Sequence, residues 1–416
     1  MQTQTITSTW NATLHHHDAA TYKNILIDID QYLVDVIKET PATTNIGVMS
    51  GRMGELIYLF HSAVHTENDE LYNFAIDQLE ILVDSISLSS TPTFCAGTAG
   101  VVWGLFYLEQ TGLVEDASAA IDTEVIEYLA NWGIQQTKYG HYDYMHAGLS
   151  MVLPLLSYYK KTGLFKNKLE ELVAALDATK ETNEHGYYWR YAIGLPDEAE
   201  KVSLGLSHGS PSIVSLLAKI SAEGIAVDEC NELLTGALNY MLAYRCPEGS
   251  AGMYPGNVLL DGSVNAPNSR LGWCYGDMNF AIALHFANKA TPNESYVQLI
   301  NEIMDFCRLK DDAQKAAINE SSICHGAAGV AHIYNRFYNA YGGDKFKDAT
   351  NTWLEITLQK MKKEDGKWWL LNTADYKSQW DTATNTITGI SGVGLVLLSA
   401  IAPIAPGWDE MYLLNL

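Results

Sequence analysis

Cys324-His325-Gly326-Ala327-Ala328-Gly329-Val330-Ala331 is a turn of small residues that runs straight into an apolar helix. The chain writes this design seven times. Gly47-Val48-Met49-Ser50-Gly51-Arg52-Met53-Gly54 leads into residues 56–60, Gly97-Thr98-Ala99-Gly100 into 101–105, and Ala147-Gly148-Leu149-Ser150 into 151–153. Ser207-His208-Gly209-Ser210-Pro211 leads into Ile213 and Val214, and Cys274-Tyr275-Gly276-Asp277 into 280–284. The last copy, Gly389-Ile390-Ser391-Gly392-Val393-Gly394, leads into 395–398. Such self-similarity marks stacked supersecondary units, each burying its apolar face against its neighbours.

Longer amphipathic segments lie between the copies. Tyr22, Ile25, Leu26, Ile29, Leu33, Val36 and Ile37 recur at helical spacing on one face. Similar patterns fill 71–86, 121–133, 168–178, 228–245, 293–309 and 347–362. The helices after the small-residue turns are apolar nearly all round and must be buried, whereas the amphipathic ones need one covered face. The expected fold is all-α: an α/α toroid, or barrel, of seven inner and seven outer helices. Glycines at the inner-helix starts let backbones approach closely. The free N–H groups of those starts then gather at one end.

Strand-like stretches are few. Residues 187–191 and 367–371 are short and aromatic, and are expected as extended or hairpin loops over the barrel mouth. Residues 247–272 hold a cluster of Gly and Pro without helical period. A loop of that length in a compact domain is usually functional or flexible. No boundary is visible, so one domain over 1–416 is expected, with residues 1–20 as an N-terminal extension within it.

The 416 residues carry a net charge of −23, which argues against nucleic acid or an anionic membrane as partner. No apolar run approaches the roughly 18 residues of a transmembrane helix. The first 13 residues lack the basic and apolar blocks of a secretory signal. Six cysteines in so long a chain do not make a disulfide framework. These features together indicate a cytoplasmic protein.

Two of the seven turns carry unusual side chains. Cys274, Cys324 and His325 offer two thiolates and one imidazole, the donors that zinc prefers. Three protein ligands rather than four leave one tetrahedral position open, as in a catalytic rather than a structural zinc site. They are too far apart in sequence for a zinc knuckle and meet only if the repeats close up.

Four blocks in this order on a seven-fold repeat are specific: Asp143-Tyr144-Met145-His146, Gly205-Leu206-Ser207-His208-Gly209, Ser269-Arg270-Leu271-Gly272-Trp273-Cys274-Tyr275-Gly276, and Cys324-His325-Gly326. With them the whole chain resembles the LanC family, the lanthionine synthetase C-like peptide cyclases. The resemblance implies a seven-plus-seven toroid with one zinc held by Cys274, Cys324 and His325. It implies acid–base and positioning roles for His208, Asp143, Arg270 and Tyr275. The reaction it suggests is addition of a substrate cysteine thiol to dehydroalanine or dehydrobutyrine in a dehydrated precursor peptide, giving lanthionine or methyllanthionine rings. No dehydratase-sized region is visible, so a separate dehydratase and an exporter are the expected partners, with the cyclase peripheral to an export complex. The third copy departs from Gly-x-x-Gly at Ala147, and the fourth carries Ser212 where a second glycine often stands; both bear on local loop geometry.

The chemistry can be argued from the residues as well. A thiol with a pKa of about 8.5 is mostly protonated at neutral pH, and a metal stabilises its thiolate. Attack on a dehydroamino acid makes an enolate that needs stabilisation and a proton. Histidine as a residue type suits proton transfer near neutral pH, so His208 is a candidate proton donor; its structural alternative is a helix-start histidine bonded to backbone. Asp143 suits orienting a histidine or taking the thiol proton, and equally suits an N-cap. Arg270 suits an enolate or a peptide carbonyl, or a loop salt bridge. Tyr275 suits a hydrogen bond to substrate, or packing. His146 reads as a structural hydrogen-bonding residue, His15-His16-His17 as a solvated run, and Cys95, Cys230, Cys246 and Cys307 as small buried groups. Trp189, Trp368 and Trp369 suit either a peptide-binding rim or core packing. Two rival functions remain: a glutathione transferase to dehydroamino-acid electrophiles, and a non-catalytic zinc-bearing scaffold of a peptide-modifying complex.

Overall fold

Glycine caps decide where the buried helices begin. Gly51, Gly97, Gly209, Gly326 and Gly389 stand in extended backbone immediately before α2 (Arg52–Thr66), α4 (Thr98–Gln110), α8 (Ser210–Ala222), α12 (Ala327–Tyr341) and α14 (Ile390–Ile401). Gly276, before α10 (Asp277–Ala290), has φ +138°, a conformation that L side chains rarely adopt. Ala147 breaks the pattern, and a 3-10 turn over Gly148–Met151 precedes α6 (Val152–Thr162). Ser212 changes nothing, because the cap glycine beside it is kept and its hydroxyl donates to Gly209 O at 2.8 Å.

The alternating helices are α1 (His16–Glu39), α3 (Asp69–Asp84), α5 (Thr123–Lys138), α7 (Lys166–Thr179), α9 (Val227–Ala243), α11 (Glu294–Arg308) and α13 (Asp344–Gln359). Each buries one stripe, as α11 does with Ile300, Ile303, Met304 and Cys307. Side-chain caps start two of them: Asn68 accepts from Leu71 N, and Asn293 from Ser295 N. The computed structural model describes residues 10–14, 16–40, 45–86, 90–190, 201–264, 270–374 and 377–416. Half of the expected N-terminal extension over 1–20, the side chains of the His15-His16-His17 run, and Ser269 lie outside the described residues.

The buried helices pack in succession, α2 on α4, α4 on α6, α6 on α8 and α8 on α10; α12 packs on α14, and α14 returns to α2. The turns that start them are tied by backbone hydrogen bonds. Met49 N donates to Cys95 O (3.1 Å), Cys95 N to Met145 O (3.0 Å), Cys274 N to Cys324 O (3.2 Å), Cys324 N to Ile387 O (3.0 Å), and Ile387 N back to Met49 O (3.1 Å). The last turn is thus bonded to the first, and the chain closes on itself.

A 3-10 turn, Gly407–Tyr412, inserts among the buried helices. Asp409 is fully buried and takes His332 Nε2 at 2.6 Å and the Arg336 guanidinium; Glu410 takes Lys219 at 2.9 Å and Trp103 Nε1 at 3.3 Å. Tyr144 and Trp273 donate to the Met411 and Tyr412 carbonyls.

Among the described residues, three small antiparallel sheets decorate the helices. The β1 (Glu181–Asn183) and β2 (Gly186–Tyr188) hairpin lies against α9. β3 (Lys201–Ser203) pairs with β4 (Asn257–Leu259) inside the long 247–272 loop. β5 (Met361–Glu364), β6 (Lys367–Ala374) and β7 (Lys377–Asp381) form the third. This third sheet runs beside the turn before α12, where Ser321 N donates to Leu371 O at 3.0 Å. Trp189 is buried with its indole bonded to Leu176 O, so it is a packing residue and not part of a rim.

Candidate metal centre

The turns before α10 and α12 lie side by side, and this brings Cys274, Cys324 and His325 together. Their ligand atoms all lie within 4.8 Å of one another. Asp277 helps to fix the α10 side. Its carboxylate is fully buried and accepts from Met253 N (3.0 Å) and Tyr254 N (2.9 Å), pinning the long loop to the helix start. The Tyr275 ring packs against Gly205, where a β-carbon would collide with Tyr275 and the Cys274 carbonyl. Glycine at 205 is what lets these two turns touch.

Cys274 and Cys324 are joined Sγ to Sγ, with Cα atoms 5.6 Å apart. Cys95, Cys230, Cys246 and Cys307 are unpaired. Joined sulfurs cannot serve as thiolates, so a metal requires the reduced pair. Zinc–sulfur bonds of about 2.3 Å at a tetrahedral angle separate two sulfurs by about 3.8 Å. Side chains with this Cα spacing span that distance after a small rotation. His325 Nε2 faces the pair, 3.6 Å from Cys324 Sγ. Burial, then the charges of Arg270 and His208, push the His325 imidazole down to about 4, which keeps it in the neutral form that binds metals. The sulfurs are buried while the His325 side chain is 34% exposed, so an ion here would keep one side toward solvent. The donor set and its exposure fit zinc.

A second pair stands beside the first. His208 Nδ1 is 2.6 Å from Asp143 Oδ2. Asp143 is almost fully buried, and its other oxygen accepts from Met145 N and His146 N, both at 2.8 Å. The carboxylate therefore caps a turn and orients a histidine at once. His146 stacks on His208 with ring centroids 5.8 Å apart, and burial lowers its pKa first, with the Asp143 charge opposing. Arg270 and His208 both act electrostatically on His325. Cys95 lies beneath Asp143, buried and pushed up to about 11, and is inert as a nucleophile. Sequence reasoning missed one residue of the site. Glu320, buried in the turn before Cys324, has its carboxylate 3.8 Å from His325 Nδ1.

The sequence matches the lanthionine synthetase C-like protein family over residues 42–413. The chain belongs to that family. A comparison with curated proteins finds no match for this LanC-like chain. Among solved structures it is similar to nisin cyclase, with a TM-score of 0.71 and 18% identity over 96% of this chain and 98% of that one. An unsaturated glucuronyl hydrolase specific for heparin is a weaker likeness, with a TM-score of 0.49 and 12% identity over 95% of this chain and 98% of that one. The LanC-like chain thus shares the fold of nisin cyclase. No described helix is long and apolar enough to cross a membrane.

Proposed function

We propose that this protein is a zinc-dependent lanthipeptide cyclase. In this reading it adds substrate cysteine thiols to dehydroalanine or dehydrobutyrine in a dehydrated precursor peptide. The observation that carries the reading is the open Cys274–Cys324–His325 donor set at the starts of α10 and α12, with the Asp143–His208 pair at the starts of α6 and α8. We also read the fourteen described helices as seven outer–inner pairs of one toroidal domain. A separate dehydratase would supply the substrate and an exporter would take the product, with the cyclase cytoplasmic beside them.

Bound to the reduced donor set, zinc would hold the substrate thiol as a thiolate. Asp143 holds the proton of His208 on Nδ1, so Nε2 is the atom that would exchange a proton with substrate. His208 takes the thiol proton. Sulfur then bonds to the β-carbon, and the double-bond electrons move onto the neighbouring carbonyl oxygen. Arg270 supplies positive charge to that enolate. His208 returns the proton to the α-carbon, so the net change is addition of S–H across C=C. Tyr275, next to Cys274 in the chain, would orient the peptide backbone.

The test is loss of free thiol, because the addition changes no mass. Reduced, zinc-loaded protein is incubated with a dehydrated cysteine-containing peptide, remaining thiols are alkylated, and rings are mapped by fragmentation mass spectrometry. The expected result is thiol loss faster than the uncatalysed reaction, in a defined ring pattern. Unchanged alkylation across several dehydrated peptides would overturn the reading, most directly if glutathione still added to dehydroalanine.

A further inference from the structure

Glu320 is a buried carboxylate that the mechanism above does not use. It is 5% exposed and lies four residues before Cys324. Its backbone is fixed to the helix start, since its carbonyl accepts from Ala327 N at 3.0 Å and it bridges to Gly326. Its side chain is fixed as well. Oε2 accepts from Ser322 Oγ at 3.4 Å, Thr373 on β6 is a second hydroxyl donor, and Arg270 is the cation that acts on it. This oxygen faces His325 Nδ1 at 3.8 Å, while Nε2 of the same ring faces Cys324 Sγ at 3.6 Å. The imidazole is therefore strung between a carboxylate and the sulfur pair.

That arrangement has a chemical consequence. A neutral imidazole binds metal through one nitrogen and carries its proton on the other. A carboxylate beside the protonated nitrogen selects that tautomer, fixes the ring and makes the ligating nitrogen more basic. The 3.8 Å separation exceeds a direct hydrogen bond, so the contact is electrostatic or passes through one water.

We propose that Glu320 is a positioning residue of the metal centre, holding the His325 proton on Nδ1 so that Nε2 is presented to the ion. The inference rests on the metal assignment proposed above. It also gives the third sheet a role. Thr373 and the Leu371 carbonyl tie β6 to the turn that carries Glu320 and the ligands, so the sheet braces the centre.

The test is metal affinity rather than turnover. Wild type, Glu320→Gln and Glu320→Ala are reduced with a phosphine, stripped of metal, and titrated with zinc against a chromophoric chelator. Cobalt spectra are recorded in parallel. Glu320→Gln keeps the shape and loses the charge. Both variants should bind zinc about 10–100-fold more weakly, and the cobalt bands should shift. Thr373→Val should have a smaller effect in the same direction. If wild type binds zinc and both folded variants match its affinity and spectrum, the positioning role is overturned. Lower thermal stability at unchanged affinity would likewise reduce Glu320 to a structural residue. Absence of zinc binding by wild type would instead overturn the metal assignment itself.

Discussion

Replacing Asp143 by Asn should slow ring closure without emptying the metal centre. Asp143 makes three contacts: Oδ1 takes two backbone N–H groups, and Oδ2 takes His208 Nδ1 at 2.6 Å. Asparagine keeps a carbonyl oxygen for the two backbone donors, so the turn should survive. Its amide, however, donates toward Nδ1 and drives the His208 proton to Nε2, the wrong nitrogen for accepting one. The charge-assisted bond that steadies protonated His208 is lost. A hydrogen bond to a charged group contributes about 1.5–3 kcal/mol, so the rate should fall by about 10- to 150-fold. The assay is a time course of thiol alkylation on reduced, zinc-loaded protein, with zinc content measured on the same samples. A fully loaded Asp143→Asn variant closing rings at the wild-type rate would refute the acid–base role. A variant that had lost its zinc would show instead that Asp143 supports the centre.

Three further outcomes are expected. Cys324→Ala should lose most bound zinc and all cyclisation; full zinc by elemental analysis would remove Cys324 from the ligand set. Asp30 is raised from 3.8 to about 6, first by burial, with Ser62 and Tyr58 opposing. Its ionisation therefore opposes folding, a cost absent below the unfolded value and complete above about 6, worth up to about 3 kcal/mol at 1.36 kcal/mol per unit. Asp30→Asn should accordingly gain about 1–3 kcal/mol in urea unfolding at pH 8 and nearly nothing at pH 3.5, and an equal gain at both would contradict the assignment. Asp409→Asn leaves the buried Arg336 without its counter-charge and should cost about 3–5 kcal/mol, read as a lowered unfolding midpoint; a loss below about 1 kcal/mol would mean the cluster is solvated.

Much of the fold was legible because its punctuation is chemical. A glycine cap before an apolar run can be seen in sequence, and the buried helices start where such turns stand. Even the departure at Ala147 was visible as a departure, and it became the 3-10 entry to α6. The Cys274, Cys324 and His325 donors were legible for the same reason, since equivalent points of neighbouring repeats must meet. The buried Gly407–Tyr412 turn was not legible. Asp409 and Glu410 look like surface residues until Arg336, His332 and Lys219 arrive from helices 73 to 191 residues away. Glu320 was hidden because it sits in a turn with no period, and only the folded chain sets it behind His325.

The bond from Ile387 N to Met49 O spans the chain nearly end to end, and it changes how the molecule must assemble. A linear repeat array has two terminal units that fray and must be capped, and it can grow or shrink by a unit. An annulus has no terminal unit. Its last seam forms only after some 340 residues of loop have been drawn together, which raises contact order and slows folding. The sulfur- and imidazole-bearing turns lie next in line to that seam, with Cys324 bonded to Ile387 on one side and to Cys274 on the other. A metal captured by the donor triad would tie the fifth turn to the sixth and so favour the folded annulus. A circular permutation cut in an outer loop would preserve every seam, whereas deleting one repeat would leave an annulus that cannot close.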